Sequence, residues 1–303
     1  MKTVSNLPKV SVAVVTYNQC ELLRECLDAI LAQDYPNIEI VVADDASPDA
    51  TPQLIAEYHA RHGAKIVPVI AAKNGGVTVN QQAALDACTG DYIAWMAGDD
   101  LMLPGKITTQ VAYMESHPNC AIVYHDLEIF NSDSGKTLGH FSDVDKPRSG
   151  TISTLVRHGS FNGATSNMVR ASKSPPHGFE PSIRVASDWL YYVECLSGGG
   201  TIDYIDKVLG KYRRHEDNVT KPDKHNPQMN LLKDHVTSCE ILLAKHPEIR
   251  RDVNYRMGYL MAFARLRDGG VAYNDCLKSS LSYRFSPKIL LALIANMLFG
   301  IKR

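Results

Sequence analysis

Residues Gly90 to Asp100 read Gly-Asp-Tyr-Ile-Ala-Trp-Met-Ala-Gly-Asp-Asp. A glycine lets the chain turn, five apolar or aromatic residues from Tyr92 to Met96 make a short buried strand, and Ala97-Gly98 leads into two adjacent carboxylates. A strand core excludes charge, so Asp99 and Asp100 just beyond its carboxyl end call for a ligand or a solvated turn that caps the next helix. Hard divalent cations supply the first reading, because Mg²⁺ and Mn²⁺ take oxygen ligands and complete their shell with substrate phosphates. In open α/β sheets, ligands bind outside the carboxyl ends of the strands.

The segments before this one repeat the pattern. Val10 to Val15 is a continuous β-branched run suited to a strand buried on both faces, and it ends in Thr16-Tyr17-Asn18. Asn18 with Glu21 reads as a capping box, and Leu22, Leu23, Cys26, Leu27, Ile30 and Leu31 give the following helix one apolar face. Ile38 to Ala43 is a second buried strand, ending in Asp44-Asp45. Thr51 with Pro52 opens a helix to about Arg61. Lys65 to Ala71 is a third strand, edge-like because of Pro68. Asn74-Gly75-Gly76 leads to a helix over about Val77 to Cys88. Four strand-helix units in a hundred residues predict a doubly wound, mostly parallel α/β sheet. Beyond it, Pro104 begins a helix to about His117, Ala121 to Phe130 reads as a strand, and Met229 to about Ala272 as helical. His117-Pro118 and His246-Pro247 mark helix ends.

The totals bound the function. At 303 residues with 45% hydrophobic and 21% charged residues, the chain builds an ample core. A formal charge of −1 argues against a nucleic-acid binder. Seven cysteines without a CxxC pair suggest neither a disulfide framework nor a zinc site, and fit a reducing compartment. Met1 to Lys9 lacks the apolar core of a signal peptide, which predicts a cytoplasmic protein. Ile289 to Ile301 is shorter than the ~20 residues of a spanning helix. With Lys288 before it and Lys302-Arg303 after it, residues 288–303 have the composition of a helix lying in a membrane interface, or of one packed on protein. The expected organisation is a domain over 1–220, with a nucleotide-binding half at 8–100 and an acceptor-binding half at 101–220, then a helical region over 221–303.

Neither GxGxxG nor GxxxxGK[ST] occurs, which disfavours a dinucleotide oxidoreductase and a P-loop NTPase. A nucleotide site built from carboxylates and one aromatic fits better. Tyr17 can stack on a base, Asp45 can accept a hydrogen bond from a ring N–H such as uracil N3, and a metal on Asp99 and Asp100 can hold a diphosphate.

Together these segments resemble the family 2 inverting glycosyltransferases with the GT-A fold. Val-Ala-Val-Val-Thr-Tyr-Asn (12–18) is similar to their first strand, and Val-Val-Ala-Asp-Asp-Ala-Ser-Pro-Asp-Ala-Thr (41–51) to their Asp-Asp-x-Ser-x-Asp-x-Thr segment. Asn74, Gly76 and Asn80 stand at the Asn-x-Gly loop and helix, and Gly90 to Asp100 at the DXD segment. Gly178-Phe179-Glu180, Ser187-Asp188-Trp189 and Tyr212-Arg213-Arg214-His215 resemble the later signatures, in order, over roughly Pro8 to Thr220. Two departures stand out. Ala97 replaces a frequent Asp, and Ser187 replaces the acid that usually precedes the catalytic Asp.

The resemblance implies a donor nucleotide held by Thr16, Tyr17, Asn18, Asp45, Asn74, Gly76 and Asn80, with Asp99 on the ribose or the metal. It implies Mn²⁺ or Mg²⁺ on Asp100, Asp99 and His215, with Arg213 and Arg214 near the diphosphate. Asp188 becomes the general base, with an N-cap of its own helix as the plainer role. The implied donor is a UDP-sugar, or a dTDP-sugar, since thymine presents the same N–H. The implied acceptor is a glycan or polyprenyl-linked saccharide of bacterial surface-polysaccharide assembly. That acceptor would place the enzyme in the cytoplasm, peripheral on the inner face of the plasma membrane. Two other readings are a non-catalytic nucleotide-sugar-binding scaffold and a sugar nucleotidyltransferase. The latter usually carries a Gly-rich basic loop after the first strand, and Thr-Tyr-Asn-Gln-Cys is unlike it.

Overall fold

The computed structural model describes residues 7–216, 218, 227–264 and 273–299. They divide into two compact units, one of Met1–Ile152 with Ser160–Val219 and one of Ser153–Gly159 with Thr220–Arg303.

In the first unit the chain alternates as the apolar runs predict: β1 (Val10–Thr16), α1 (Cys20–Leu31), β2 (Ile38–Asp44), α2 (Thr51–His62), β3 (Ile66–Ile70), α3 (Val77–Ala87) and β4 (Tyr92–Ala97). β5 (Leu101–Met102), α4 (Lys106–Ser116), β6 (Cys120–Asn131), β7 (Thr137–His140) and α5 (Phe141–Val144) follow, then β8 (Met168–Arg170), α7 (Ser187–Cys195) and β9 (Thr201–Arg214); α6 (Ile152–His158), between α5 and β8, belongs past its first residue to the second unit. The strands form one sheet in the order β3-β2-β1-β4-β8-β6-β9-β5, with β7 paired to β6. β1, β2, β3 and β4 are mutually parallel, in registers such as Val12 opposite Ile40 and Ala94. β8 is antiparallel to both β4 and β6, so the sheet is mixed beyond β4. β3, with Pro68, lies at the edge, where a missing N–H costs no ladder bond.

β1, β2 and β4 are largely apolar because both of their faces are covered. Val10, Val12, Val14, Ile40, Val42, Ala94 and Met96 meet the apolar faces of α1, α2 and α4 in one core. At its amino end the sheet is tied by Glu39, whose carboxylate accepts from Ser11 Oγ (2.5 Å) and Thr89 N (2.7 Å) and pairs with Lys9 Nζ (2.5 Å). Gly90 is required there. A Cβ on it would lie 2.6 Å from Ser11 N and 2.8 Å from Lys9 O, both backbone atoms that cannot give way.

The expected capping box of α1 is not formed. Asn18 has φ 55° and stands outside the helix, and Gln19 occupies the cap position without a side-chain bond. Cys20 N instead donates to Asp49 Oδ2 (3.1 Å), so a carboxylate from the β2–α2 loop caps α1 and complements its positive end.

The second unit packs the end of α6 with α8 (Pro227–Lys245), α9 (Arg250–Ala264), α10 (Tyr273–Tyr283) and α11 (Pro287–Phe299) around Leu155, Leu242, Val253, Met257 and Leu277. Arg157 Nε pairs with Asp252 Oδ1 at 2.5 Å. The helical stretch predicted from Met229 breaks at His246-Pro247, and residues 265–272 lie outside the described ones. No described helix is long and apolar enough to cross a membrane.

Asn80 shows how α3 closes the site end of the sheet. It is buried and donates through Nδ2 to Thr16 O (3.2 Å), the last carbonyl of β1, and Ala43 O (3.0 Å), the next to last of β2. Asn80→Ala strands both acceptors and should cost about 1–3 kcal/mol, read as a lower urea midpoint at unchanged slope.

Candidate active site

The carboxyl ends of β1, β2 and β4 and the end of β9 converge in the first unit, and the motif residues gather there. The β2–α2 loop builds its own shape first. Asp44 accepts from Ser47 N (3.0 Å) and from its hydroxyl, while Ser47 Oγ accepts from Asn18 N (2.7 Å). Asp49 Oδ1 accepts from Thr51 N (3.0 Å). Ala46, at φ 59°, is held in the left-handed region by these bonds, a strain of the kind that collects at functional loops.

Asp45 was expected to face a pyrimidine ring. It is 4% exposed, and its two oxygens accept from Gly75 N (2.7 Å) and Gly76 N (2.8 Å), fixing the Asn74-Gly75-Gly76 turn. Gly76, at φ 87°, takes a conformation only glycine adopts freely. Thr16 is buried, and its carbonyl accepts from Asp45 N (3.2 Å). Tyr17 is the open member, 46% exposed, with exposed Asn18 beside it and exposed Asn74 on the Asp45-held turn.

The adjacent aspartates part company. Asp100, expected to be a metal ligand, is 1% exposed and turned inward, where its Oδ1 accepts from Arg213 N (2.8 Å). Burial, and then the neighbouring Asp99 charge, push its carboxyl well above the usual range. Asp99 faces the other way. Its Oδ2 lies 2.8 Å from His215 Nε2 and 3.3 Å from Asn218 Nδ2. Of the residues expected to hold a metal, the structure therefore brings together Asp99 and His215. Among the described residues no cluster of three or more His, Cys, Asp or Glu is arranged for a metal. Asp99 and His215 fit Mn²⁺ or Mg²⁺ as a partial donor set, of the kind that substrate phosphates and water complete.

Arg213 was expected beside the diphosphate, but the structure buries it. Its Nε donates to Asp99 O (2.6 Å), Nη2 pairs with Glu25 Oε2 (2.6 Å), and the guanidinium lies 4.8 Å from the Phe130 ring centre. It straps β9 to the loop after β4 from beneath. Arg214 is partly exposed, with its guanidinium over Tyr212 at 4.8 Å.

Asp188 lies in the first turn of α7, where it does not act as the N-cap; that position is Ala186. Its Oδ1 accepts from Trp189 N (2.8 Å), part of the residue reaches solvent, and burial raises its carboxyl above the ordinary value. Ser187 does the orienting that an acid would do. It donates to Gln81 Oε1 (2.7 Å) and accepts from Thr78 Oγ1 (2.9 Å), pinning the start of α7 to α3. Trp189 is 1% exposed and packs inside, which rules it out as an open acceptor platform; Trp95 is core, against Phe179 and Tyr191.

Sequence reasoning missed the turn Asn162 to Asn167. Thr165 Oγ1 accepts from Ala97 N (3.2 Å). Asn167 O accepts from Trp95 N (3.1 Å), and its side chain meets Tyr192, which faces Asp188. The turn thus touches the supports of both aspartates. Its residues are small and uncharged, so no local pattern distinguishes them from a surface loop. It also accepts, at Thr165 O, the ammonium of the fully buried Lys106 (2.6 Å).

The sequence profile described as "Glycosyl transferase family 2" matches residues 11–170. The chain belongs to glycosyl transferase family 2. An uncharacterised protein of Mycobacterium tuberculosis is 33% identical over 208 residues, 68% of this chain and 58% of that protein. The chain thus spans little more than half the length of that curated relative. Staphylococcus aureus TarS 1-349, solved in complex with UDP-GlcNAc, superposes with a TM-score of 0.70 at 18% identity, over 96% of this chain and 85% of that one. The mannosyltransferase PcManGT from Pyrobaculum calidifontis, in complex with GDP-Man and Mn²⁺, gives a TM-score of 0.63 at 18% identity, over 99% and 83%. At these identities the likeness is one of fold, and that fold is GT-A.

Lys106 generates a pH prediction. Burial lowers its ammonium from 10.5 to about 7. The folded chain sheds this proton first, so between those values the unfolded chain binds more protons and stability rises with pH. From pH 7 to about 8.5 the urea midpoint of the wild type should climb relative to Lys106→Met, which lacks the group. Parallel curves would mean that the ammonium stays charged when folded.

Proposed function

We propose that the protein transfers a sugar from a nucleoside-diphosphate sugar, UDP before dTDP, to a hydroxyl of a glycan or lipid-linked saccharide, with inversion at the anomeric carbon. The observation that carries this reading is the pairing of Asp99 with His215 at the carboxyl end of the sheet, in the same unit as Asp188, a partly enclosed carboxylate of raised proton affinity. The family, and neighbours solved with UDP-GlcNAc and with GDP-Man and Mn²⁺, support the donor class and the use of a divalent ion.

In this reading the base rests on exposed Tyr17, and the Asp45-held turn shapes the pocket wall, so Asp45 acts through Gly75 and Gly76. Asp99 and His215 would hold Mn²⁺ or Mg²⁺, which when bound would supply charge neutralisation for the departing diphosphate. Arg214 is the cation left near the phosphates, while Arg213 and Asp100 hold the loop. Asp188 takes the proton of the acceptor hydroxyl as that oxygen bonds to the anomeric carbon. The bond from that carbon to the diphosphate oxygen breaks, and its electron pair leaves with the nucleoside diphosphate. Displacement from the opposite face inverts the centre.

A thermal-shift series with UDP, dTDP, GDP, ADP and CDP, with and without Mn²⁺, tests the site, since a ligand of the native state raises its melting point. UDP or dTDP with Mn²⁺ should give the largest shift, and Asp99→Ala or His215→Ala should remove its metal-dependent part. No shift with any nucleotide would end the reading. Asp188→Asn should cut turnover by about 10²–10⁴-fold and leave the nucleotide shift intact. Because burial raises the Asp188 carboxyl, its ionised form works against folding as pH rises through that value. The Asn variant should therefore melt higher at neutral pH, and wild-type kcat/KM should fall as pH drops through the same value.

A further inference from the structure

The second unit carries a feature that glycosyl transfer leaves unused. Helix α11 presents Leu291 (66% exposed), Ile294 (42%), Met297 (66%) and Leu298 (70%) to solvent, and Phe285 (69%) stands just before it. At 100° per residue, Leu291, Ile294 and Leu298 fall within about 60° of one another, with Met297 at the margin of the same face. The opposite side faces the protein. Leu293 is buried, and Asn296 Nδ2 donates to Asn274 Oδ1 on α10 (2.8 Å). The one polar residue interrupting the apolar run is thus paired inward, so the outer row stays apolar.

Charge says what covers this row. From Ser286 to Arg303 the sequence holds no acid, and its charged residues, Lys288, Lys302 and Arg303, are all basic. Lys288 is exposed at the first turn of α11. An apolar row with cations at its ends complements an anionic lipid surface, with side chains in the acyl boundary and ammonium groups among the headgroups. Four side chains on one short helix, with Phe285 before it, cover less than the ~800 Å² that each partner gives to a stable protein interface. A second copy would also meet the same cations. At thirteen residues α11 is about 20 Å long, too short to cross a ~30 Å core. It lies along a surface.

We infer that α11 is an in-plane anchor that docks the protein on bilayers containing anionic lipid. The inference stands independently of the proposed transfer reaction, which the nucleotide shifts test on their own.

The test is co-sedimentation of the full chain with vesicles of phosphatidylcholine alone or with about one-third phosphatidylglycerol. The protein should pellet with the anionic vesicles, much less with neutral ones, and less as salt rises. Leu291→Ser with Leu298→Ser should weaken binding by about tenfold or more, with circular dichroism and the nucleotide thermal shift unchanged. Lys288→Glu should weaken binding to anionic vesicles alone, which keeps the test informative if the double variant misfolds. Failure of the wild type to pellet with either vesicle would overturn the inference. So would unchanged vesicle binding in a double variant that has instead lost self-association by light scattering, since the row would then belong to a second copy.

Discussion

The site depends on one buried hydrogen bond, from the backbone N–H of Arg213 to the carboxylate of Asp100 across 113 positions of sequence. A carboxylate at 1% exposure has lost its water, and it stays in place because Arg213 N replaces that water. Arg213 then reaches back to Asp99 O and out to Glu25, so the loop after β4 and the end of β9 move as one piece. With both ends tied, Asp99 points away from the core and meets His215. The two candidate ligands are neighbours in space because Asp100, between them in the chain, is spent on structure.

The same division runs through the β2–α2 loop. Asp44, Asp45, Ser47 and Asp49 form a cluster that reads as a binding motif, yet their side chains go largely to backbone amides of the loop, of α1 and of the Gly75-Gly76 turn. Short polar side chains satisfy amides that a sharp reversal leaves unpaired, which is how a loop keeps a strained Ala46 at the mouth of a site. What remains to meet a ligand is Tyr17, exposed between these held segments. Ser187 follows the same logic at the other end, since its hydroxyl reaches Thr78 and Gln81 without bringing a second charge beside Asp188.

Much of this was legible beforehand. The parallel strands β1, β2 and β4 were plain because strands buried on both faces must be largely apolar, and their polar endings marked the edge where a site assembles. Asp188 and His215 were marked as candidates by their motif context. The roles of Arg213 and Asp100 were not legible, because a charged residue in a functional motif looks the same whether it faces a ligand or locks the loop that does. The Asn162–Asn167 turn left no trace at all. Its function lies in where its hydroxyl, amide and carbonyls point, and small polar residues in that order are compatible with any loop.

The sequence by itself determined the α/β alternation, the family and the sheet edge at which chemistry gathers. Periodicity, strand-ending acids and turn residues are local properties that each segment carries alone. Only the tertiary structure decided which of two adjacent aspartates faces outward, which arginine is buried, and which loop touches the supports of Asp99 and Asp188. Those choices turn on polar groups brought from α3, β9 and the turn before β8, and a buried carboxylate settles wherever the fold delivers partners to replace its water.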